Sequence, residues 1–224
     1  MRSTTVEVAP IAHYHMGGVV ADERMATEIP GLYVAGEAVG GANGANRLSG
    51  NAITEALVFG RRAGRSAAER VRRMTAHSFD PQAARQTLDL VAASGEANDV
   101  NTAAMIERLQ ATMADDVGPF RTEAKLKRAL LAMDEMTGAL GERPMGDNKP
   151  FDLRRLEWFD LRNMLLVART VTISALARGE SRGAHQREDL PGMLPQWRLN
   201  QVARLGPDGV ALTPVPVVAQ AAAQ

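Results

Sequence analysis

Residues 31–51 have the sequence GLYVAGEAVGGANGANRLSGN, in which a short apolar run precedes a loop rich in glycine and asparagine. The run at 31–36 lies between glycines and predicts a short buried strand. The loop at 40–46 concentrates residues that tolerate backbone conformations closed to most others. From Ala52 onward, apolar residues recur at helical spacing. This region therefore predicts a strand, a glycine-rich loop and a helix in succession.

Such a strand–loop–helix unit favours an anionic or electron-rich ligand. Glycine-rich loops expose backbone N–H groups, and the N-terminus of a helix carries partial positive charge. Glu37 directly follows the predicted strand, where a carboxylate can accept hydrogen bonds from a ribose hydroxyl. Arg47 is placed in the loop for bidentate recognition of a carboxylate or a phosphate. His13 offers a second donor to the same ligand.

The chain as a whole predicts an α+β fold that is predominantly helical. Residues 1–75 form a glycine-rich α/β piece that also includes a weak strand at Thr5–Pro10. Residues 80–180 form a helical domain in which three consecutive antiparallel helices make a small bundle. Residues 181–224 are rich in proline towards their end and predict an extended tail.

Five helices are predicted from apolar spacing and capping residues. The first runs from Ala52 to about Met74, with Ser49 or Asn51 as its N-cap. The second opens at Asp80-Pro81, where aspartate caps the helix and proline takes the first helical position. Apolar stripes place the other three at about 105–118, 126–140 and 152–178.

The composition excludes several classes of function. The 224 residues carry 26 Lys+Arg and 26 Asp+Glu, and this balance does not support a nucleic-acid or anionic-membrane partner. The chain has no cysteine, which excludes disulfides, thiolate metal sites and thiol nucleophiles. No apolar run reaches the about 18 residues of a transmembrane helix. We expect a cytoplasmic protein, attached to the cytoplasmic membrane, if at all, through partner subunits.

Four blocks in this order resemble the succinate dehydrogenase/fumarate reductase flavoprotein subunit family, which includes L-aspartate oxidase. The blocks are His-Tyr-x-x-Gly-Gly at 13–18, Gly-Leu-x-x-x-Gly-Glu at 31–37, Gly-Ala-Asn-Arg-Leu-x-x-Asn at 44–51, and Asn163-Met164-Leu165 followed by the Glu-Ser-Arg-Gly-Ala-His segment at 180–185. The resemblance covers residues 8–198 and implies that residues 1–75 are the C-terminal piece of an FAD-binding domain.

The resemblance implies a role for two substrate-binding residues. His13 and Arg47 match the histidine and the arginine that hold a dicarboxylate against the flavin in this family, so they are the candidate catalytic residues. Both side chains would position and polarise the substrate. The substrate implied is a C4-dicarboxylate such as succinate or fumarate.

The resemblance also implies a set of FAD contacts. Glu37 matches the glutamate that contacts the FAD ribose, and it follows Gly36 in the same block. Ala52 and Ile53 match residues that approach the pyrimidine edge of the flavin through backbone groups, at a helix start that includes Asn51. A helix N-terminus at that edge would stabilise negative charge on the reduced flavin.

The sequence departs from the family in what it lacks. No Gly-x-Gly-x-x-Gly dinucleotide fingerprint is present. The family's substrate-capping domain and its proton-delivering arginine are also missing. We therefore expect the C-terminal part of a longer flavoprotein, inactive alone, whose FAD site needs the missing N-terminal half. Ala52 also stands where a serine is common in the family.

Three alternatives stay open. An L-aspartate oxidase is one, although Met16 weakly favours the succinate/fumarate side of the family. A non-catalytic helical module that docks an electron-transfer subunit, such as an iron–sulfur protein, or a dimer mate is another. Independently of this choice, we expect His185 and Arg187 to hold the tail onto the bundle or to face a partner. A metal site at His13 and His15 is disfavoured because no third ligand has a suitable spacing.

Overall fold

A computed structural model describes residues 13–75, 80–93, 100–146 and 149–217. The chain divides into two compact units, Met1–His77 and Ser78–Gln224. The strand predicted at Thr5–Pro10 lies outside the described residues. No helix in the described ranges combines the length and the apolar character needed to cross a membrane.

The first unit is organised around one long helix, α1 (Asn51–Arg73), which confirms the predicted helix. Neither predicted N-cap is correct. Gly50 takes that position with a φ of 93°, and no side chain caps the helix. The chain turns into the helix through a left-handed residue, which glycine adopts without the steric penalty of a side chain.

The apolar run at 31–36 does not form the predicted buried strand. Tyr33 makes a single antiparallel bridge with Ala26, and Leu32 is 48% exposed. A strand needs a hydrogen-bonded partner along its length, and the described residues offer that run one bridge. A 3₁₀ turn follows at Gly36–Ala38 and contacts α1.

Four helices form most of the second unit, and all four are confirmed. They are α2 (Pro81–Ala92), α3 (Thr102–Asp116), α4 (Glu123–Leu140) and α5 (Leu153–Ala177). Each starts behind a side chain that accepts a hydrogen bond from an N–H group of the first turn. The capping residues are Asp80, Asn101, Thr122 and Asp152. Because these caps satisfy otherwise unpaired N–H groups, they fix where the helices begin.

The core of the second unit lies between α3, α4 and α5. Trp158 is 1% exposed, and its indole Nε1 donates a hydrogen bond to the carbonyl of Leu140 at 3.1 Å. Its ring meets the ring of Phe159 edge to face, with the centroids 5.0 Å apart. The buried apolar side chains around it are Leu109, Leu126, Met133, Met136, Leu161 and Leu165. Met133 and Met136 therefore act as packing residues.

Arg187 fastens the segment after α5 to the end of that helix. Its guanidinium forms two hydrogen bonds with Asp189, at 2.8 and 2.9 Å. It also donates to the carbonyls of Ala175, Leu176 and Arg178. These carbonyls belong to the last turn, where no intrahelical donor remains. The expectation that Arg187 holds this segment onto the bundle is confirmed.

Two short sheets complete the unit. β1 (Phe120–Arg121) pairs in parallel with β2 (Gln186–Arg187). β3 (Leu199–Gly206) and β4 (Gly209–Pro216) form an antiparallel hairpin in which Gly206 faces Gly209. The predicted tail is therefore extended, as expected, but much of it is paired with itself.

We predict that Leu126→Ala lowers the free energy of unfolding of the second unit by about 2–5 kcal/mol, because Leu126 is fully buried and its truncation leaves a cavity. Leu131→Ala on the same helix removes the same atoms from a side chain that is 66% exposed, and should have little effect. Urea unfolding followed by circular dichroism measures both. Equal losses in the two variants would contradict the proposed core.

His185 lies half-buried beside Arg121 in the second unit. Nη1 of Arg121 is 2.6 Å from Nδ1 of His185. Arginine can only donate, so Nδ1 accepts and the ring proton lies on Nε2. Burial, followed by the positive charge of Arg121, lowers the pKa of His185 to about 4 from an ordinary value of 6.5.

This lowered pKa predicts a loss of stability in mild acid. As the pH falls from 6.5 to about 4, the unfolded chain takes up a proton at His185 that the folded chain does not. The free energy of unfolding should therefore decrease through that window. His185→Gln should flatten the decrease, whereas His15→Gln, at an exposed position in the other unit, should not. Urea midpoints across the window measure the slope, and an unchanged slope in His185→Gln would contradict the assignment.

Candidate functional site

The site begins where residues 13–20 meet the turn after Gly36. The N–H of Val19 donates to the carbonyl of Ala38 at 2.8 Å, and the N–H of Gly40 donates to the carbonyl of Val19 at 3.0 Å. This parallel bridge holds the His-Tyr block against the loop that carries Glu37. Two blocks far apart in the sequence are thereby brought together.

Gly18 makes this approach possible. A Cβ at Gly18 would lie 2.5 Å from the carbonyl oxygen of Ala38 and 2.7 Å from the backbone nitrogen of Gly40. Real Cβ atoms do not come that close to backbone atoms, so any other residue would separate the two segments. The second glycine of the first block is therefore a packing requirement.

Glu37 faces the first block. Its Oε1 accepts a hydrogen bond from the backbone N–H of His15 at 2.7 Å, and its side chain is exposed. One carboxylate oxygen is thus bound to the chain, and the other remains open to a ligand. Gly36 precedes it with a φ of 67°, a conformation that favours glycine.

Arg47 lies over an aromatic ring. Its guanidinium carbon is 4.2 Å from the centroid of the Tyr14 ring, within the range of a cation–π interaction. Its Nη1 also makes a long contact of 3.5 Å with the carbonyl of Leu48. Its Nε is buried without a hydrogen-bond partner, and no carboxylate of the described residues forms an ion pair with it. Arg47 therefore keeps donors that an anionic ligand could use.

Tyr14 is fixed at its hydroxyl by a buried carboxylate. The hydroxyl donates to Oε2 of Glu55 at 2.5 Å, and Nδ2 of Asn43 donates to the same oxygen at 3.1 Å. Glu55 is only 8% exposed. The hydrogen bond to Glu55, followed by burial and the negative charge of that carboxylate, raises the pKa of the Tyr14 hydroxyl. The phenol thus keeps its proton.

The start of α1 takes part in the same hydrogen-bond network, because Glu55 lies in the first turns of this helix. Asn51, Ala52 and Ile53 form the first helical residues, and no side chain caps them. The Ile53 side chain is 71% exposed. The N–H groups of Asn51 and Ile53 donate to the carbonyls of Leu48 and Gly50 at 3.2 and 3.3 Å, which leaves the N–H of Ala52 without a described partner at the helix N-terminus.

The structure brings Arg47 and Glu37 to the first block, and no described contact joins the His13 side chain to either. His13 is exposed and adjacent in sequence to Tyr14, which contacts Arg47, while Glu37 binds the backbone of His15. Sequence reasoning missed Glu55 and Asn43. Tyr14 lies inside the His-Tyr block, but its contact with a residue 41 positions away has no signature in the sequence.

No group of three or more His, Asp or Glu side chains in the described part of the chain could hold a metal ion. The chemistry of the cluster is that of one cation, one open carboxylate oxygen and a helix N-terminus. The cation can bind a carboxylate, and the open carboxylate oxygen can accept a hydrogen bond from a hydroxyl group.

Comparison with known proteins identifies the family. Residues 106–219, slightly more than half of the chain, match the family model for the fumarate reductase flavoprotein C-terminal region. The chain belongs to this flavoprotein family. Residues 2–53 match the model of an FAD binding domain, which indicates FAD as the cofactor. The resemblance in the four blocks is confirmed.

Two curated relatives give the range of activities in the family. A fumarate reductase (CoM/CoB) subunit from Methanothermobacter marburgensis is 39% identical over 201 residues, which cover 88% of this chain and 36% of that protein. The L-aspartate oxidase of Rhodospirillum rubrum is 40% identical over 205 residues, covering 90% of this chain and 64% of that protein. Both names denote oxidoreductases, so the family is enzymatic.

Solved structures show the same fold. The chain matches an E. coli quinol fumarate reductase FrdA variant with a TM-score of 0.84 at 30% identity, over 93% of this chain and 37% of that one. It matches Mycobacterium smegmatis Sdh1 in complex with UQ1 with a TM-score of 0.81 at 35% identity, over 92% of this chain and 36% of that one. The chain thus spans little more than a third of the length of several of its relatives.

We predict that Gly18→Ala opens the bridge between the two blocks, because its Cβ would overlap backbone atoms that cannot rotate away. Hydrogen exchange at the amides of Val19 and Gly40 should become faster. Gly60→Ala, within α1 and with no atom near the new Cβ, should leave this exchange unchanged and change the stability by no more than about 1 kcal/mol. Unchanged exchange in Gly18→Ala would contradict the close approach.

Proposed function

We propose that this chain is the C-terminal part of an FAD-dependent oxidoreductase that interconverts a C4-dicarboxylate pair such as succinate and fumarate. In this proposal residues 1–75 belong to the FAD-binding domain, residues 80–180 are a helical domain, and residues 181–224 are its tail. The observation that carries the proposal is Arg47, a cation that no carboxylate of the described residues neutralises, stacked on the residue next to His13.

Arg47 would bind one carboxylate of the substrate. A guanidinium offers parallel donors to the two oxygens of a carboxylate, and Arg47 does not share them with a carboxylate of the described residues. His13, which directly precedes Tyr14 in the sequence, would also hold the substrate. Two fixed polar groups orient a small planar diacid. Hydride transfer to or from its carbon atoms requires such a fixed orientation.

The residues present fit FAD. The N-terminus of α1 has no side-chain cap, and the N–H of Ala52, between Asn51 and Ile53, has no described partner, so the backbone there can face an electron-rich ring edge. Glu37 has one carboxylate oxygen bound to His15 and one available to a ribose hydroxyl. Gly36 places Glu37 through its left-handed turn. When bound, FAD would supply the acceptance and donation of a hydride, and the chain would supply position and charge.

The partners proposed are the dicarboxylate substrate and an iron–sulfur electron-transfer subunit, with no nucleic acid. Localisation would be cytoplasmic, with peripheral attachment to the membrane through other subunits. The chain would be inactive without the rest of the FAD-binding domain. Co-purification of an iron–sulfur protein with the complete enzyme would support the dehydrogenase complex over an oxidase that acts alone.

L-aspartate oxidase activity is a second candidate, which the 40% identity to the Rhodospirillum rubrum enzyme favours. Aspartate differs from succinate by an amino group, so the two candidates predict the same carboxylate contacts. The complete enzyme separates them. Reduction of its flavin by succinate but not by L-aspartate supports the first, and the reverse supports the second.

We predict that Arg47→Lys in the complete FAD-loaded enzyme lowers kcat/KM for the dicarboxylate by about a hundredfold, because lysine offers a point charge in place of a two-pronged donor. The visible flavin absorbance should stay at the wild-type level, since the proposed FAD contacts lie elsewhere. Steady-state kinetics and the absorbance ratio of flavin to protein measure both quantities.

The matched control is Arg61→Lys, an exchange of the same kind at an exposed position of α1. It should leave kcat/KM and the flavin content unchanged. Normal turnover in Arg47→Lys would refute the proposed carboxylate contact. Loss of flavin in Arg47→Lys would instead assign Arg47 to the cofactor.

A further inference from the structure

We infer that Glu55 and Tyr14 are positioning residues for Arg47: Glu55 holds the hydroxyl of Tyr14, and the ring of Tyr14 holds the guanidinium of Arg47. The inference rests on the proposed function for the role of Arg47 as the substrate contact. It adds two residues to the site: Tyr14, to which the first block assigned no role, and Glu55, which lies outside the four blocks.

The contacts form a chain of three side chains. Arg47 lies with its guanidinium 4.2 Å from the Tyr14 ring centroid, and Tyr14 donates its hydroxyl hydrogen to Glu55 at 2.5 Å. A long flexible side chain needs such a support, since arginine loses considerable rotamer entropy when it is ordered. Fixing it before the substrate arrives removes that cost from binding.

The burial and the hydrogen bonds of Glu55 hold this support in place. A carboxylate that is 8% exposed must be well hydrogen-bonded, because burying an unpaired charge is costly. Its described donors, Tyr14 and Asn43, are both neutral side chains. Glu55 therefore has no described ion-pair partner, and its negative charge is directed onto the tyrosine hydroxyl. Asn43 lies in the glycine-rich loop four residues before Arg47, so one end of this segment is tied to Glu55 and the other to the ring of Tyr14.

The same hydrogen bond strengthens the stacking. A hydroxyl that donates to a carboxylate enriches the electron density of its ring, and the face of an electron-rich ring attracts a cation more strongly. The raised pKa of Tyr14 agrees with this arrangement, because the proton stays on the hydroxyl. Glu55 thus acts on Arg47 through the ring and without neutralising its charge.

The first arm of the test uses this chain alone and does not depend on activity. The chain contains two tyrosines, so Tyr33→Phe leaves Tyr14 as the only phenol. In that background the pH titration of phenolate absorbance reports Tyr14 directly. Glu55→Gln should shift the titration to lower pH. The Nε–Hε NMR signal of Arg47 should move in Tyr14→Phe and in Glu55→Gln, as its position over the ring changes.

The second arm uses the complete FAD-loaded enzyme. We expect Tyr14→Phe, which keeps the ring and loses the anchor, and Glu55→Gln, which keeps an acceptor and loses the charge, each to raise KM for the dicarboxylate by roughly three- to thirtyfold. Flavin content should be unchanged in both. Tyr33→Phe is the matched control, since its hydroxyl donates to the carbonyl of Ser66 and does not meet Arg47.

The outcomes separate the inference from the proposed function. If the wild-type enzyme fails to turn over dicarboxylates, the proposed function is wrong, and the first arm still decides whether Tyr14 and Glu55 position Arg47. An Arg47 signal that does not move in either variant overturns the inference. In an active enzyme, an unchanged KM with a lowered melting temperature would also overturn it, because that result assigns Glu55 to stability alone.

Discussion

The hydrogen bond between Tyr14 and Glu55 is the contact on which the proposed site depends. It joins the His-Tyr block to the first turns of α1, across 41 positions of sequence. With it in place, the ring of Tyr14 lies under Arg47, and Asn43 reaches the same carboxylate. Without it, the backbone bridge at Val19 and Val39 and the Asn43–Glu55 hydrogen bond would still hold the glycine-rich loop, but the ring under Arg47 would lose its anchor. A loop made of glycine and asparagine has little intrinsic order, so side chains anchored outside the loop must supply it.

In the second unit, by contrast, buried charged side chains form ion pairs with other charged side chains. Glu180 is fully buried. Burial alone would raise its pKa, but hydrogen bonds from Arg182, the N–H of Leu194 and Arg178 outweigh it, and the pKa is lowered. Arg187 is likewise satisfied by Asp189. These arginines have their donors directed to carboxylates and helix carbonyls, so they stabilise the fold. The contrast with Arg47 distinguishes a structural arginine from one that is open to a ligand.

Local sequence patterns predicted the helices, but they did not predict the contacts between residues that are far apart in the sequence. The apolar stripe at Leu126 and Leu140 and the caps at Asp80 and Asp152 act within a few residues, so α2 to α5 follow from the sequence. The N-cap of α1 was wrong because Gly50 turns the chain by its backbone, where Ser49 offered a plausible side chain. The site was predictable as a set of blocks. Glu55 was not, because its partner is decided by tertiary packing and not by spacing.

A cation held by an aromatic face suits a site that must bind an anion. An arginine paired with a carboxylate would have to leave that partner before it could take a substrate carboxylate, and the substrate would compete with a group held permanently at close range. Stacking on Tyr14 orders the guanidinium through its flat face and does not use its donors, of which Nη2 has no described partner. In a chain with no net charge, unpaired positive charge at one place produces a local field. The negative charge that orders this arrangement, Glu55, is placed behind the ring, where it is buried and bound by two donors. Glu55 can thus help to order the guanidinium of Arg47 without forming an ion pair with it.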